Sequence, residues 1–312
     1  MRIVFMGTPE FAVPSIKMLV ENNYNVVAAV TQPDRPKGRG NKITPPPVKV
    51  YAEEKGIIVL QPEKIKTGEF FRQLEALKPD LFVTVAYGRI LPQDILELPP
   101  LGCINVHGSL LPKYRGAAPI QWAIINGDKK TGITTMYTDV GMDTGDMLLK
   151  REVEIPMNMT AGELHDCLSI VGADVLKETL ECLKNGTLKR EKQNEDEATY
   201  APMMKKETGS IDWNKSAFDI HNLVRGTNPW PGAYTKFCGC NLKICKTQLI
   251  EGNNKVRDCK PGTIIKKDKN GLMVACGDGV INIVEIQPES CRKMTVEEYL
   301  CGHKVNEGDV IG

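Results

Sequence analysis

The sequence has no run of about 18 apolar residues, the minimum length for a helix that crosses a membrane. The apolar stretch after Met1 and Arg2 stops at Gly7, which is too short for the apolar region of a secretory signal. Biased or low-complexity tracts, which would indicate disorder, are also missing. These absences predict a globular, soluble protein that stays in the cytoplasm and does not bind membranes.

A large excess of charge of one sign is missing too, because 40 Lys and Arg residues stand against 39 Asp and Glu residues. A dedicated nucleic-acid-binding module carries a strongly basic face, and the overall charge gives no sign of one. The segment 32–50 has a different balance, because Asp34 is its only acidic residue. Its basic residues are Arg35, Lys37, Arg39, Lys42 and Lys49. Such a segment is either a solvated loop or a surface for phosphate groups.

Two binding signatures are absent. The ten cysteines lack the paired spacing of a zinc site, and only Cys238, Cys240 and Cys245 lie close together, so we expect reduced thiols and no metal. The first turn, at Gly7 to Pro9, lacks the Gly-x-Gly-x-x-Gly spacing that wraps a pyrophosphate. A nicotinamide-dependent oxidoreductase is therefore disfavoured.

The first half of the sequence alternates short β-branched segments with segments of helical length. The predicted strands are 2–6, 26–30, 57–60, 81–86, 103–106 and 132–138, and the predicted helices between them are 10–22, 48–55, 69–78 and 118–126. Strands that are apolar on both faces and joined by helices indicate a parallel α/β sheet of the Rossmann-like type. A long amphipathic helix over 160–185 follows, with Thr160 and Glu163 as its capping box.

The second half is organised differently. Residues 189–208 are polar and lack periodicity, which predicts a linker between a catalytic domain over 1–188 and a second domain over 209–312. Short alternating segments in the second domain predict a small β-barrel of the oligonucleotide-binding (OB) type. The predicted fold class is therefore α/β, with a Rossmann-like parallel sheet followed by an OB-like barrel.

The fifth predicted strand carries the first candidate site. Asn105 and His107 are two residues apart, so on a strand their side chains point to the same face. Ligands of an open parallel sheet bind at the carboxyl ends of its strands, and an amide beside an imidazole there could stabilise an oxyanion and carry a proton. An asparagine that caps a turn and a structural histidine explain the same residues equally well.

A second polar segment, residues 138–146, follows the predicted strand 132–138, which predicts that it lies at the same edge of the sheet as His107. Its aspartates include Asp143, and their spacing lacks the regular alternation of a calcium loop. One carboxylate of this loop could pair with the imidazole and fix its tautomer. A solvated polar loop is the other interpretation.

Taken together, these motifs resemble those of the folate-dependent formyltransferases. They are the segment Asn-Val-His-Gly-Ser-Leu-Leu-Pro at 105–112, Arg-Gly-Ala-Ala-Pro-Ile at 115–120 and Asp-Thr-Gly at 143–145. Segments 7–12, 31–40 and 224–233 are similar to the branch of that family that acts on methionyl-tRNA. The resemblance implies transfer of the formyl group of 10-formyltetrahydrofolate to the α-amine of methionyl initiator tRNA, without a metal and without an obligatory protein partner.

The resemblance also implies residue roles. Asn105 would hold the formyl oxygen as it becomes an oxyanion, His107 would support that charge and help move a proton, and Asp143 would orient His107 and accept the proton of the amine. The residues that match the family's folate-contacting segment are Ser109, Leu110, Leu111 and Pro112. The residues expected to contact the tRNA acceptor end, in a mobile loop, are Arg35, Lys37, Arg39 and Lys42, and the barrel would add phosphate contacts.

Two further functions stay open. Formyl transfer to an amino-sugar nucleotide uses the same three catalytic residues but gives no reason for the basic loop. A nucleic-acid-binding protein that has lost its activity would explain the loop, but the intact Asn105, His107 and Asp143 argue against it.

Overall fold

The computed structural model describes residues 1–37, 42–250 and 259–312, and for Lys37 and Lys42 it describes the main chain alone. The chain divides into two compact units. The first contains Met1–Pro119, Lys130–Glu154 and His165–Pro202, and the second contains Ile120–Lys129, Ile155–Leu164 and Met203–Gly312. No helix in the described part of the chain combines the length and the apolar character needed to cross a membrane.

Strands and helices alternate in the first part of the chain, as the sequence predicts. Up to residue 202 the elements are β1 (Arg2–Gly7), α1 (Val13–Glu21), β2 (Asn25–Val30), β3 (Arg35–Lys37), β4 (Lys42–Thr44), α2 (Pro47–Glu54), β5 (Ile58–Leu60), α3 (Gly68–Ala76), β6 (Leu81–Val85), α4 (Gln93–Leu96), β7 (Cys103–His107), β8 (Arg115–Gly116), α5 (Pro119–Ile125), β9 (Lys130–Tyr137), β10 (Met147–Glu154), α6 (Ala161–Lys184) and β11 (Tyr200–Ala201). The long helix predicted over 160–185 is α6, and the Glu163 carboxylate accepts the Thr160 main-chain N–H over 2.8 Å as a capping box requires.

Seven strands form the main sheet, in the order β10-β9-β7-β6-β1-β2-β5. The five neighbouring strands from β7 to β5 are parallel, which confirms the Rossmann-like prediction for them. β9 runs antiparallel to β7, and β10 runs antiparallel to β9, so the sheet is mixed. The prediction of a wholly parallel sheet is wrong at the strand over 132–138. A strand buried on both faces has the same pattern in either direction, so periodicity could not reveal this.

The strand that carries Asn105 and His107 is fixed by the packing of its apolar face. Its apolar residues Ile104 and Val106 are buried, and truncating a fully buried residue such as Ile104 to Ala would cost about 2–5 kcal/mol. Helix α6 approaches so closely that a Cβ on Gly172 would lie 3.1 Å from Cγ1 of Val106. This close approach explains a glycine inside a long helix, where glycine is otherwise unfavourable.

The second part of the chain contains short antiparallel strands, which confirms the change of pattern that the sequence predicts. Its elements are α7 (Ala217–Gly226), β12 (Ala233–Phe237), β13 (Cys240–Leu249), β14 (Ile264–Asp268), β15 (Gly271–Ala275), β16 (Val280–Pro288), β17 (Met294–Thr295) and α8 (Val296–Gly302). The sheet order is β12-β13-β16-β15-β14, with β17 paired to β16. Within the described residues β12 and β14 are the two ends of this order, so closure into an OB-like barrel stays a prediction.

The segment predicted to be a linker, residues 189–208, makes specific contacts. Up to Pro202 it belongs to the first compact unit. Glu191 forms an isolated antiparallel bridge with Met147, and β11 pairs with β8 in parallel. These contacts are made one or two residues at a time, which explains why the segment shows no periodicity. The predicted domain limits at 188 and 209 stay a prediction.

Candidate active site

Asn105 lies in the middle of β7, directly beside Thr84 of β6. The Thr84 hydroxyl donates a hydrogen bond to Asn105 Oδ1 over 2.9 Å. Since its oxygen is occupied, the amide presents its donor atom Nδ2, for which the described residues supply no hydrogen-bond acceptor. Asn105 is partly exposed, in contrast to the buried residues around it on β7. The strand therefore offers a fixed hydrogen-bond donor to a ligand.

His107 ends β7 and is buried, and both of its ring nitrogens face oxygen atoms. Nε2 lies 2.9 Å from the main-chain oxygen of Tyr114, and Nδ1 lies 3.6 Å from Asp143 Oδ2. A carbonyl oxygen can only accept, so Nε2 carries a hydrogen. In the neutral imidazole, Nδ1 is then the nitrogen without a proton, and in the cation both N–H groups face acceptors. Proton exchange is thereby confined to the side of the ring that faces Asp143.

Asp143 lies in the loop between β9 and β10, and the structure brings it to His107 as predicted from the motif. The same oxygen that faces the imidazole, Oδ2, accepts the Gly116 main-chain N–H over 2.8 Å. The φ angles of Asp143 and Tyr114 are +56° and +61°, in the left-handed region. In residues other than glycine such angles cost about 1–3 kcal/mol and persist only where surrounding contacts hold them.

The route of this loop differs from the prediction. Because β9 is antiparallel to β7, the loop starts beside the beginning of β7, where the Thr138 N–H donates to the Cys103 carbonyl over 2.8 Å. The prediction that the loop emerges at the same edge as His107 is therefore wrong, and the loop must turn back along the sheet to reach the imidazole. Gly145 permits this turn, because a Cβ there would lie 1.9 Å from the Tyr137 oxygen.

Thr84, Tyr114 and Gly116 position the candidate side chains, and sequence reasoning did not select them as site residues. Thr84 could have been selected from the sequence, because it carries the one hydroxyl of the buried segment Leu81–Val85 and a buried hydroxyl needs a hydrogen-bond partner. Tyr114 and Gly116 act through main-chain atoms, which side-chain patterns do not reveal.

The predicted folate-contacting segment follows β7 directly. Ser109, Leu111 and Pro112 are buried, and Leu110 is partly exposed. Thr134 of β9 ties the turn together, since its hydroxyl donates to the Ser109 oxygen over 2.7 Å and accepts the Leu111 N–H over 3.1 Å. A ligand at this segment would therefore meet Leu110 and main-chain atoms first.

The predicted RNA-contacting loop is a hairpin formed by β3 and β4. Arg35 at its start is exposed, Lys37 and Lys42 pair across it through their main chains, and Arg39 lies outside the described residues. At its base Lys49 contacts Asp34 over 2.8 Å and Gln61 over 2.9 Å. These hydrogen bonds from Lys49 and Gln61 hold the pKa of the Asp34 carboxyl below its ordinary value. Lys49 thus neutralises the acidic residue and anchors the hairpin.

The cysteine cluster consists of thiols that are exposed or half-buried. Cys238 and Cys240 are exposed, Cys245 is half-buried, and all three are free thiols. In the described ranges, no three His, Cys, Asp or Glu side chains come together as metal ligands would.

The similarity to known proteins extends over the whole chain. The family profile described as "Formyl transferase" matches residues 1–180, and the one described as "Formyl transferase, C-terminal domain" matches residues 203–304. A methionyl-tRNA formyltransferase of Acetivibrio thermocellus is 62% identical over 312 residues, and one of Ruminiclostridium cellulolyticum is 59% identical. In both cases the similarity covers 100% of each chain.

Solved structures share the fold. The sugar 3N-formyl transferase WlaRD has a TM-score of 0.69 at 19% identity, covering 94% of this chain and 99% of that one. An N-formyltransferase from Helicobacter canadensis, solved with folinic acid and dTDP-3-aminofucose, has a TM-score of 0.68 at 22% identity, covering 92% and 98%. The family profiles and the full-length relatives go beyond the fold: the chain belongs to the formyl transferase family.

Proposed function

We propose that the chain transfers the formyl group of 10-formyltetrahydrofolate to the α-amine of methionyl initiator tRNA, giving N-formylmethionyl-tRNA for the initiation of translation in the cytoplasm. The proposed substrate is supported by the full-length similarity to proteins named methionyl-tRNA formyltransferase. The arrangement of Asn105, His107 and Asp143 carries the choice of chemistry.

Asn105 is the group that stabilises developing negative charge. Bound 10-formyltetrahydrofolate supplies an activated formyl group, whose oxygen gains negative charge as the amine adds to its carbon. The free donor Nδ2 of Asn105 fits this need, because Thr84 already occupies the amide oxygen. A fixed donor of this kind contributes about 10²–10³ in rate, and it requires no metal.

His107 and Asp143 accept and donate the protons that the reaction moves. The amine loses a proton as its bond to the formyl carbon forms, and the folate nitrogen gains one as its bond to that carbon breaks. The Asp143 carboxylate accepts the proton of the amine, directly or through water, and passes it to Nδ1 of His107. The imidazolium formed there supports the negative charge and then gives the Nδ1 proton to the leaving nitrogen, which returns both side chains to their starting states. The Tyr114 carbonyl keeps Nε2 protonated, which leaves Nδ1 for this exchange.

Substrate binding is divided among three regions. The segment from Ser109 to Pro112 contacts the folate, chiefly through Leu110 and main-chain atoms. The hairpin contacts tRNA phosphates through Arg35, Lys37, Arg39 and Lys42, and the domain over 209–312 adds further contacts to the tRNA. The exposure of Arg35 and the anchoring of the hairpin base by Lys49 support this proposal.

The test is a formylation assay with 10-formyltetrahydrofolate and three acceptors: methionyl initiator tRNA, methionyl elongator tRNA and an amino-sugar nucleotide. We expect formylated product chiefly with the initiator tRNA, and we expect Arg39→Ala to slow that transfer without weakening folate binding. Equal rates with the two tRNAs would overturn the choice of the initiator, and product from the amino sugar alone would identify a sugar formyltransferase.

A further inference from the structure

The Asp143 loop is fixed at two levels. Within the loop, Asp139 Oδ1 accepts the Gly141 N–H over 3.0 Å and the Thr144 hydroxyl over 2.6 Å, which closes the turn locally. These contacts do not reach the main-chain oxygens of Asp143 and Gly145. Both of those oxygens accept from a single atom, Gln193 Nε2, over 2.7 Å and 2.8 Å. The left-handed turn that carries the carboxylate is therefore held from outside the loop.

Gln193 is itself anchored to a buried arginine. Its Oε1 accepts from Arg115 Nε over 3.0 Å and from Arg115 Nη2 over 2.8 Å. Arg115 is 1% exposed, and its guanidinium also makes two hydrogen bonds to the Glu195 carboxylate, over 2.7 Å and 2.8 Å. A bidentate contact between a guanidinium and a carboxylate is charge-assisted and fixes the plane of the arginine.

These contacts close a ring around Asp143. Arg115 directly precedes Gly116, whose N–H holds the Asp143 carboxylate over 2.8 Å. Gln193 thus links the main chain of Asp143 to Arg115, and the next residue, Gly116, holds the side chain of Asp143. Every hydrogen-bonding site of the Gln193 amide is used, two as donors and two as acceptor.

We propose that Gln193 is a positioning residue for catalysis, which sets the distance between Asp143 Oδ2 and His107 Nδ1 by holding the Asp143 loop against the Arg115–Gly116 strand. The proposal rests on the proposed function, because it acts through Asp143. It requires an amide at position 193, since the side chain must donate to two carbonyl oxygens and accept from a guanidinium at once.

The experiment measures single-turnover formyl transfer to methionyl initiator tRNA by the full chain, with Gln193→Ala and Gln193→Glu. We expect Gln193→Ala to slow transfer about tenfold at saturating substrates, with unchanged KM for the folate and for the tRNA, because the Asp143 loop loses the two hydrogen bonds that Gln193 donates to it and holds the carboxylate less firmly at His107. Asn194→Ala is the matched control, because that amide caps a neighbouring turn by accepting the Asp196 N–H. Its rate is expected to stay within twofold of the wild type.

Gln193→Glu separates positioning from structural support. A glutamate still accepts from Arg115 but cannot donate to the two carbonyl oxygens. We therefore expect the Gln193→Glu variant to be as slow as Gln193→Ala. If Gln193 only supplied an acceptor to the buried arginine, Gln193→Glu would restore the rate. In an Asp143→Asn background, Gln193→Ala is expected to cause no further loss, because its effect passes through the carboxylate.

The outcomes distinguish the proposed function from the positioning role of Gln193. A wild-type chain that formylates no tRNA would overturn the proposed function. A wild-type chain that is active while Gln193→Ala keeps the full rate would overturn the positioning role. The same conclusion follows if Gln193→Glu is rescued, or if the losses of Gln193→Ala and Asp143→Asn multiply.

Discussion

The two halves of the candidate active site are built in different ways. The strand half, Asn105 and His107, lies on β7, which is hydrogen-bonded to β6 on one side and to β9 on the other. The loop half, Asp143, lies on a turn of left-handed conformation that is held by Gly116 and by Gln193. The strand half is positioned by the sheet as a whole, and the loop half by a few individual hydrogen bonds.

Because of this difference, substitutions on the strand half and substitutions around the loop half report on different properties of the site. A change on the strand half leaves the backbone in place, because many apolar contacts and ladder hydrogen bonds hold β7, so it reports on chemistry. A change around the loop half alters the position of the carboxylate, so it reports on geometry. The predictions below test that division, from the largest expected effect to the smallest.

His107→Ala removes the imidazole from a strand that stays intact. We expect single-turnover transfer to fall by about 10³–10⁴, within the range for loss of a general acid–base group, while the midpoint of thermal unfolding changes little. Rapid-quench measurement of formylmethionyl-tRNA at saturating substrates gives the rate. A variant that keeps near-normal turnover would remove His107 from the mechanism.

Asp143→Asn removes the charge of the loop half and keeps its shape. We expect a loss of about 10²–10³ in the same assay, smaller than for His107 because the imidazole still holds its hydrogen bond to Tyr114. Asp139→Asn is the matched control, since Asp139 belongs to the same loop but its carboxylate faces Gly141 and Thr144. Equal losses in the two variants would mean that the loop needs negative charge in general and not at Asp143.

Thr84→Val removes the hydroxyl that orients the Asn105 amide and keeps the side-chain shape. We expect transfer to slow about five- to tenfold with unchanged KM, because one hydrogen bond of about 1 kcal/mol is lost. Thr84→Ser keeps the hydroxyl and serves as the control, with a rate close to wild type. If the Thr84→Val and Thr84→Ser variants transfer the formyl group at the same rate, the sheet alone orients the Asn105 amide.

Glu195→Gln is expected to have the smallest effect, because Glu195 is exposed and supports the loop half only through Arg115. The hydrogen bond from Arg115 lowers the pKa of Glu195 below its ordinary value of 4.5. Its stabilisation is therefore complete above pH 4.5 and is lost as the pH falls through the lowered pKa.

The corresponding measurement compares the thermal unfolding midpoints of the wild type and Glu195→Gln over a series of pH values. We expect the wild type to be slightly more stable at neutral pH and the two curves to converge in acid. A difference that is constant with pH would show that the ion pair does not support the fold.

The strand half could be predicted from the sequence, and the loop half only in part. The spacing of Asn105 and His107 on a buried strand indicates their common face, because a strand has a period of two. Asp143 was found through its motif, but the direction of β9 was predicted wrongly, and Gln193 lies in a segment predicted to be a linker. Single hydrogen bonds between residues far apart in sequence, such as Gln193 to Asp143, leave no periodic pattern.

The most direct test of the account is the single-turnover rate of Asn105→Ala with 10-formyltetrahydrofolate and methionyl initiator tRNA. Asn105 presents the donor Nδ2 in an orientation set by Thr84, and its loss removes a hydrogen bond expected to form most strongly in the transition state. The account predicts a fall of about 10²–10³ with both substrates still binding normally. A rate within a few-fold of wild type would contradict it.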